Sequence, residues 1–565
     1  MTKLENPFIH DAATNLSEDV IAALYIDVDK SEIIMSQRNV FIEGYRGSGK
    51  SMLLKHNSFS MRYSREEKLD FIGVYISCMS PYFLKREHEL NENSFHSSIV
   101  AEHILVLSMA QNLLNTLLQS SFLDTAEDEA ISKELEFYFD IKISSISELA
   151  KHINKELYKT QEHLNKHPED FYSKARTFSS LILPIADSIK SIDRLQATRI
   201  SFLIDDGQLL STSQKKCLNS WISYRDTSKI NFKVAITSKK EYLFHTNTES
   251  VILENHDYVT IDLEKNFFGE GTDYYDFAKK IIEKRLEFCD TETKKAEDFF
   301  PQDEKFTKDI EKIRSAFIDG EYPELKDKTK EERKSRASKF DRAIYFRLRL
   351  ETHKANNPTI AYTGFDSLVN ISTGVIRNLL IPCSTMYSNE KENSESGIVN
   401  YIQPKTQYSS IIEESEKKWK YIKLLGIQID GCDDGLALQI ERFLRSFGNK
   451  LKAILLDTSS TEKQILTFTI EGLENSQHNE QIKQILDVAE KAGLLYSRIG
   501  AGKSSNRTVW YTPNRILWAE LGLDPVGQNG RLNIRPEVFL KMASEELTKE
   551  FFMKKEQKGL FDEIW

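Results

Sequence analysis

The segment "GYRGSGKS", residues 44–51, has the residue types and the spacing of a loop that wraps around phosphate groups. Glycines let backbone N–H groups point at the β-phosphate, a lysine reaches the β- and γ-phosphate oxygens, and a serine hydroxyl ligates Mg²⁺. An apolar stretch precedes this loop and an amphipathic stretch follows it, as that chemistry requires. We therefore predict that a nucleoside triphosphate is bound by Gly44, Tyr45, Arg46, Gly47, Ser48, Gly49, Lys50, Ser51 and Met52.

Two adjacent aspartates supply the second half of such a site. They end the stretch "SFLIDD", whose apolar residues are typical of a buried strand. We predict that Asp205 holds Mg²⁺ through water and that Asp206 orients or deprotonates the attacking water. Most hydrolytic ATPases of this broad class have glutamate at the second position, and aspartate is one methylene shorter, so we expect slow turnover. The alternative for Asp206 is an ordinary strand that ends in an Asp-Gly turn.

Three further patterns refine the nucleotide prediction. The stretch "VAITS" ends in Thr237 and Ser238, which either hydrogen-bond the water or the γ-phosphate, or form a strand-end turn. A second GKS, at residues 502–504, has no glycine at the required upstream position and lies between two strands, so it predicts a hairpin tip. ATP is favoured over GTP, because the aspartate-glycine spacing at residues 205–207 is one residue short for a GTPase and no N-K-x-D occurs.

The elements that position these residues follow from the pattern of apolar runs. Strands are expected over residues 39–44, 71–78, 199–206, 230–238 and 257–264, with a helix over about 50–65 and a helical insertion over about 91–195. Strands that alternate with helices predict a three-layer α/β domain with a largely parallel sheet. Helices continue to about residue 388, and the polar stretch 388–397 predicts a loop or linker. Helices near 435–456 and 479–492 then precede a β-hairpin formed by "LLYSRIG" and "RTVWYTP".

Composition limits the possible classes of protein. A chain of 565 residues with 40% hydrophobic residues predicts two to four globular domains. The net charge of −10 means that any surface for nucleic acid must be local. Five cysteines far apart, with no CxxC pair, exclude a disulfide framework or zinc knuckle by spacing and predict a cytoplasmic protein. The N-terminal sequence lacks the features of a signal peptide. The sequence has no run of 18 apolar residues, so we expect no membrane span.

The order of these motifs resembles the bacterial origin-recognition-complex-like AAA+ ATPases. The resemblance covers about the first 385 residues and rests on "NPF" near the start, "RNVFIEGYRGSGKSMLL", "CMSPYFLKRE", "FLIDD", "VAITS" and "ISTGVIRNLL". It implies a three-layer P-loop AAA+ core of the ASCE type at residues 1–265 and a helical lid at 266–387. A linker at 388–415 and a winged-helix-like α+β domain at 416–565 complete the expected organisation.

The resemblance also implies roles for individual residues. Lys50 and Ser51 match Walker A, Asp205 and Asp206 match Walker B, and Thr237 or Ser238 matches sensor 1. Arg377 matches the sensor 2 arginine of the lid, which touches the γ-phosphate, although a solvated helix arginine is the alternative. AAA+ rings also insert an arginine finger from a neighbouring subunit, but no arginine occurs between Arg225 and Arg285. That role falls to Arg225, Arg285 or Lys239, or no finger exists.

Two locally basic regions are candidates for binding nucleic acid. The C-terminal helix, strand, turn and strand follow the winged-helix order, with Arg498, Lys503 and Arg507 near the wing, but the helix itself contains acidic residues. Residues 326–354 are also basic, with a solvated helix rich in ion pairs as the alternative. We therefore expect an ATP- and Mg²⁺-binding switch that acts on double-stranded DNA or a protein partner, or as a homo-oligomer. The alternative is a signalling or assembly ATPase that does not bind DNA, as in bacterial antiviral defence.

Overall fold

The computed structural model describes residues 5–8, 13, 16–27, 30–65, 67, 70–84, 86–90, 93–119, 122–139, 141–166, 173–224, 229–263, 274–352, 361–395, 397–460, 465–501, 507–527 and 530–553. The chain divides into two compact units, residues 12–272 and residues 1–11 with 273–565. Below, these are called the N-terminal unit and the C-terminal unit.

The N-terminal unit is built around a five-stranded parallel sheet. Its strands are β1 (Val40–Glu43), β2 (Phe71–Ser77), β3 (Arg199–Asp205), β4 (Ile230–Ile236) and β5 (Val259–Asp262), in the spatial order β2-β3-β4-β1-β5. Every pairing is parallel, so the carboxyl ends of all five strands lie along one edge. Strand β4 lies between β1, which precedes the phosphate loop, and β3, which ends in the two aspartates. The predicted parallel α/β sheet is therefore confirmed.

Helices cover both faces of this sheet, which explains why its strands are continuous apolar runs. They are α1 (Glu18–Leu24), α2 (Ser31–Met35), α3 (Lys50–His56), α4 (Phe59–Ser64), α5 (Pro81–Leu84), α6 (Ser94–Leu118), α7 (Thr125–Phe139), α8 (Ile146–Lys166), α9 (Leu183–Lys190) and α10 (Thr212–Ser223). Phe41, Phe202 and Phe232 face the larger core, which α6 to α9 complete, while Ile42 and Leu203 face a smaller one. Helices α6 to α9 lie between β2 and β3, within the stretch for which an insertion was predicted.

The C-terminal unit begins with a helical zone. Its helices are α11 (Tyr274–Leu286), α12 (Ala296–Phe299), α13 (Glu304–Asp319), α14 (Lys330–Thr352), α15 (Phe365–Ile371), α16 (Ile376–Asn393), α17 (Pro404–Ile422), α18 (Leu425–Gln428) and α19 (Asp434–Leu456). Capping residues set several of these boundaries. Asp303 accepts a hydrogen bond from the Phe306 amide at the start of α13, and Gly320, with φ +84°, ends that helix.

A four-stranded sheet forms the last part of this unit. Its strands are β6 (Ile465–Ile470), β7 (Leu495–Ala501), β8 (Arg507–Pro513) and β9 (Gly530–Ile534), in the order β7-β8-β6-β9. The intervening and following helices are α20 (Asn479–Lys491), α21 (Leu517–Leu521), α22 (Pro536–Ser544) and α23 (Lys549–Met553). Strands β7 and β8 pair antiparallel, as the predicted hairpin requires; its turn, residues 502–506, lies outside the described residues.

The N-terminal "NPF" motif belongs to the C-terminal unit. The Asn6 amide donates to the Ser384 carbonyl at 3.0 Å and to Ser388 Oγ at 3.0 Å, both on α16. Phe8 is buried among aromatic side chains that include Phe299 and Tyr387. These contacts explain why residues 1–11, which were assigned to the ATPase core from the sequence, cluster with residues 273–565.

Two predictions about local structure are corrected. The helix expected over residues 50–65 is broken after His56, where the Asn57 amide donates to the Leu53 carbonyl at 2.9 Å and Ser58 adopts an extended conformation. The segment 388–415, expected to be a linker, is mostly helical. Helix α16 continues to Asn393 because one of its faces remains buried at Tyr387 and Glu390, and α17 begins at Pro404.

One stretch of α6, Phe95–Leu118, has the length and composition of a membrane-spanning helix. Of its apolar window, 72% is buried inside the protein, and its leucines contribute to the larger core. The helix therefore owes its apolar composition to packing in the N-terminal unit.

Candidate nucleotide-binding site

The phosphate loop connects β1 to α3 through a tight turn. Gly47 and Gly49 have φ of +90° and +99°, a conformation that side chains with a Cβ rarely adopt. A Cβ at Gly44 would lie 2.5 Å from Ser48 Oγ. Ser48 Oγ is itself buried and has no hydrogen-bond partner among the described residues. The glycines are therefore required by the shape of the loop, and the loop leaves a polar atom for a ligand to bind.

Lys50 lies inside this loop. Its side chain is 6% exposed, and its ammonium donates to the carbonyl oxygens of Gly44 and, at 2.9 Å, of Tyr45. A buried ammonium normally requires such acceptors, because burial without them costs several kcal/mol. The loop thus holds the cation against its own backbone, next to where a phosphate would lie.

Asp205 connects the phosphate loop to the end of β3. Its buried carboxylate accepts hydrogen bonds from the Tyr75 hydroxyl at 2.7 Å and from the Asp206 amide at 3.1 Å, and the Ser51 hydroxyl lies beside it. Burial, followed by the charge of Asp206, raises the pKa of Asp205, while the bonds from Ser51 and Tyr75 and the charge of Lys50 act against this. The predicted Walker A and Walker B residues therefore meet in the structure.

This arrangement fits a magnesium ion. Mg²⁺ prefers oxygen ligands and is usually bound by one or two protein groups together with substrate phosphates and water. The Ser51 hydroxyl and the Asp205 carboxylate are such ligands, and the Ser51 hydroxyl lies near enough to lower the pKa of Asp205. Ser51 and Asp205 are the residues that would hold the ion.

Asp206 has an unusual backbone. Its φ is +57°, in the left-handed region that is costly for a residue other than glycine. It precedes a 3₁₀ turn, Gly207–Leu209, and its carboxylate accepts a hydrogen bond from the Gln208 amide at 3.0 Å. A Cβ at Gly207 would lie 2.6 Å from Val234 Cγ1, so strand β4 explains the glycine. The strand does end in a turn, as in the alternative interpretation, but the turn holds the Asp206 carboxylate close enough to raise the pKa of Asp205.

The residues that follow β4 form a turn stabilised by side chains. Ser238 Oγ accepts a hydrogen bond from the Lys240 amide at 3.2 Å, and the Thr237 hydroxyl donates to Glu241 at 2.5 Å. Glu43, the last residue of β1, accepts a hydrogen bond from the Lys239 amide at 2.8 Å, and burial raises its pKa. Glu43 therefore fixes the turn after β4 next to the start of the phosphate loop.

Sequence reasoning missed Tyr75, Glu43 and Gln208 as parts of this site. Tyr75 and Glu43 are polar residues in otherwise apolar strands, and that exception was the available signal. Their partners could be known only from the order and register of the strands. Gln208 could have been suspected from its place directly after the aspartate pair and Gly207.

Arg377, the predicted sensor 2 arginine, belongs to the C-terminal unit. It is the second residue of α16 and is half-buried. Its Nε is buried and has no hydrogen-bond partner in the part of the chain that the structure describes. A cation in the first turn of a helix also opposes the helix dipole. Both features would be relieved by an anion.

The candidates for an arginine finger have contacts within the chain. Arg285 is 4% exposed and donates to the Pro7 carbonyl at 2.7 Å. The Lys239 ammonium pairs with Glu254 at 2.8 Å. Arg225 lies outside the described residues. Arg285 and Lys239 therefore have structural roles that would have to be abandoned before either could reach a neighbouring subunit.

The basic residues of α14 are also largely engaged. Arg347 pairs with Glu324 at 2.9 Å, and Arg342 binds Asp524 through two hydrogen bonds. This favours the solvated, ion-paired interpretation of residues 326–354. Near the hairpin, Arg498 is described, Lys503 lies outside the described residues, and Arg507 begins β8 but its side chain is not described.

Two features define a P-loop nucleotide-binding core. In the parallel sheet, one strand separates the phosphate-loop strand from the strand that ends in two aspartates, and the loop lysine lies inside its own turn. The comparison with protein families agrees. The chain belongs to the ORC-CDC6-like family, whose model matches residues 6–534. This confirms the resemblance to origin-recognition AAA+ proteins and supports assignment to the nucleotide-binding AAA+ ATPases. No curated protein matches the sequence significantly.

Proposed function

We propose that this protein binds ATP, hydrolyses it slowly, and acts as a nucleotide-dependent switch on DNA or on a partner protein in the cytoplasm. The observation that carries the proposal is the packing of α3, which begins with Lys50 and Ser51, against β3, which ends at Asp205. It joins the phosphate loop to the β3 carboxylates in one site. Membership of the ORC-CDC6-like family supports the same activity.

In this proposal each residue has one role. Lys50 binds the β- and γ-phosphate oxygens, and Ser51 and Asp205 hold Mg²⁺, which neutralises phosphate charge. Asp206 accepts the proton of the attacking water as the water oxygen bonds to the γ-phosphorus and the bond to the ADP oxygen breaks. Thr237 orients the water. The short side chain of Asp206 and its hydrogen bond from Gln208 support a slow reaction.

Arg377 is the proposed sensor of the γ-phosphate. Its buried, unpartnered Nε and its position in the first turn of α16 are both unfavourable without an anion. A γ-phosphate would supply that anion and would disappear on hydrolysis. We therefore propose that Arg377 reports which nucleotide is bound.

Nucleotide binding and single-turnover hydrolysis test these roles. Lys50→Ala should abolish ATP binding in a calorimetric titration, whereas Lys133→Ala, which removes an exposed lysine of α7, should not. Asp206→Ala should bind ATP and retain it unhydrolysed. Normal hydrolysis by Asp206→Ala would show that Asp206 is not the catalytic residue, and ATP binding by Lys50→Ala would refute the site.

The C-terminal sheet is the proposed partner-binding module. Its order of β6, α20 and the β7–β8 hairpin supports a winged-helix-like domain, with a 3₁₀ turn, Leu473–Asn475, in place of a full helix before α20. We propose that double-stranded DNA contacts Arg498, Lys503 and Arg507. Such binding should weaken steeply with salt, so absence of binding at about 50 mM salt would refute it.

The acidic residues of α20 favour a second candidate function. Glu480, Asp487 and Glu490 lie on the helix that would enter a DNA groove, and carboxylates repel phosphates. In this candidate, ATP holds an assembly with a protein partner or a second copy, as in antiviral defence, and DNA is not a ligand. Mass measurement with and without ATP, together with turnover with and without DNA, distinguishes the two.

A further inference from the structure

The four-stranded sheet of the C-terminal unit has one apolar face and one cationic face. Phe468 pairs opposite Tyr511 and packs on Phe443 and Phe447, so this face belongs to the core. Because side chains alternate along a strand, the neighbouring positions face the other way. We call this second side the outer face; it includes Thr469, Tyr496, Arg498, Trp510, Arg531 and Asn533.

Two guanidinium groups lie over one tryptophan at the centre of the outer face. The guanidinium carbons of Arg498 and Arg531 are 4.8 Å and 4.2 Å from the centre of the Trp510 ring. A Cβ at Gly500 would lie 2.4 Å from the same ring, so glycine allows the indole to lie against β7. Stacking on the ring holds both cations in place with limited freedom.

The charges of this cluster are poorly balanced. Burial, followed by the charge of Arg531, lowers the pKa of Arg498. Burial, followed by the charge of Arg498, lowers the pKa of Arg515 to about 10. Neither Arg498 nor Arg515 forms a salt bridge within the described residues, and Asp524 is already bound by Arg342. Arg498 and Arg515 therefore add positive charge here without a salt bridge among the described residues.

Several hydrogen-bond donors at this face also lack partners. They are Arg498 Nε, Arg515 Nε, Trp510 Nε1 and Thr469 Oγ1, which are buried atoms with no partner in the described part of the chain. Thr469 is 6% exposed and lies opposite Asn533 in the sheet. A buried donor without a partner costs about 1–3 kcal/mol. Four such donors beside two stacked arginines indicate a ligand that accepts hydrogen bonds and carries negative charge.

We propose that the outer face is a binding site for a phosphate group, carried either by a nucleic-acid strand or by a free phosphate compound. Phosphate offers acceptor oxygens and charge without any donor in its ionised form, which matches a set composed of donors. Arginine planes stacked on an aromatic ring can also stack with unpaired bases. The site lies on β6 to β9 rather than on acidic α20. The inference rests on the proposed partner-binding role of this module, but it does not require ATP.

The test uses the full chain with Lys50→Ala, which removes the phosphate loop as a competing phosphate site. Binding of a fluorescent single-stranded DNA is followed by anisotropy at several salt concentrations. Replacing Arg498 and Arg531 by Gln should lower the slope of log affinity against log salt by about 1.4, at about 0.7 for each lost phosphate contact. Arg336→Gln, which removes an exposed arginine of α14, should leave the slope unchanged.

A second arm replaces the strand by inorganic pyrophosphate and measures thermal unfolding. If pyrophosphate raises the Tm of the Lys50→Ala chain but not that of the same chain with Arg498→Gln and Arg531→Gln, the ligand is a free phosphate compound. If the two substitutions instead change the salt slope of DNA binding, the ligand is a nucleic-acid strand. If the double variant changes neither measurement, the proposal is wrong. The single variant Arg531→Gln keeps Arg498 stacked on Trp510 and removes the repulsion between the two cations, so it should fold. If the double variant fails to fold, the same two measurements on this single variant still test the proposal. Failure of the nucleotide site would appear separately, as ATP binding by Lys50→Ala.

Discussion

Removal of the Tyr75 hydroxyl tests how the central carboxylate of the site is tuned. Tyr75 lies on β2, and its hydroxyl donates to Asp205 at 2.7 Å. In Tyr75→Phe the ring remains but the donor is lost, while the Asp206 amide still donates to the carboxylate and the Ser51 hydroxyl stays beside it. We expect the ionised form of Asp205 to be selectively destabilised.

The size of this effect follows from the strength of the hydrogen bond. A bond to a charged group contributes about 1.5–3 kcal/mol, and one pKa unit corresponds to about 1.4 kcal/mol. The pKa of Asp205, already raised by burial and by Asp206, should therefore rise by a further one to two units, roughly. A carboxyl group with a raised folded pKa binds its proton more tightly when folded. Stability therefore falls as pH rises through the window between the unfolded and the folded pKa.

Two assays detect this shift. In urea unfolding, Tyr75→Phe should be less stable than the wild type by about 1.5–3 kcal/mol at neutral pH, with a smaller difference in acid, where Asp205 is protonated in both. The acid limb of ATP turnover should move up by about one to two pH units. Tyr63→Phe is the matched control, because the half-buried Tyr63 packs against aromatic rings and its hydroxyl has no hydrogen bond among the described residues.

The reasoning is refuted if the acid limb of Tyr75→Phe coincides with that of the wild type. It is also refuted if the loss of stability is the same at neutral and acid pH, since the bond would then not favour the ionised carboxylate. A loss of stability in Tyr63→Phe as large as in Tyr75→Phe would assign the effect to packing.

Three other contacts give testable predictions. Burial lowers the pKa of Lys233 to about 7, so between pH 7 and about 10.5 the unfolded chain binds a proton that the folded chain does not. In urea unfolding, the stability of the wild type relative to Lys233→Met should therefore rise with pH across that window. Burial lowers the pKa of His103 to about 3, and its ring accepts from the Arg176 amide at 2.9 Å; wild-type Tm should fall from pH 6.5 downward, and His103→Gln should flatten that fall. The Asn378 amide donates to the Tyr496 hydroxyl at 2.8 Å, so Asn378→Ala should speed hydrogen exchange in β7, and unchanged exchange would show that the bond does not support the strand.

The parts of the site that are local in sequence could be predicted from it. The phosphate loop needs glycines, a lysine and a serine at fixed spacing, and Asp205 and Asp206 directly end an apolar run. Each of these patterns depends on a few neighbouring residues, because the chemistry and the turn are made by the same segment. For that reason the sequence was sufficient to expect Ser51 and Asp205 in one site.

Contacts between distant segments could not be predicted in the same way. Tyr75 reaches Asp205 only because β2 and β3 pair with Ser77 opposite Asp205. Glu43 reaches the Lys239 amide only because β1 and β4 are neighbours. These contacts depend on strand order and register, which a single sequence does not encode as a local pattern.

The errors in local structure have a similar origin. The polar stretch that begins at Ser388 contains few apolar residues, yet α16 continues into it as far as Asn393 because Glu390 is buried and accepts a hydrogen bond from the Gln403 amide. The break after His56 depends on the Asn57 side chain, which bonds back to Leu53. A propensity for helix or loop is a weak preference, and in both places tertiary contacts outweigh it.

Binding and hydrolysis of nucleotide have unequal structural support in this protein. Lys50 is bonded to its own loop and Asp205 to Tyr75 and Asp206, so phosphate and Mg²⁺ would meet a preorganised site. The proposed hydrolysis rests on Asp206, which has a costly backbone conformation, while Arg285 has a partner within the chain. An arginine supplied from outside accelerates other P-loop enzymes by about 10³–10⁵. A site with the proposed slow turnover would be suited to hold a bound state until a partner supplies such an arginine.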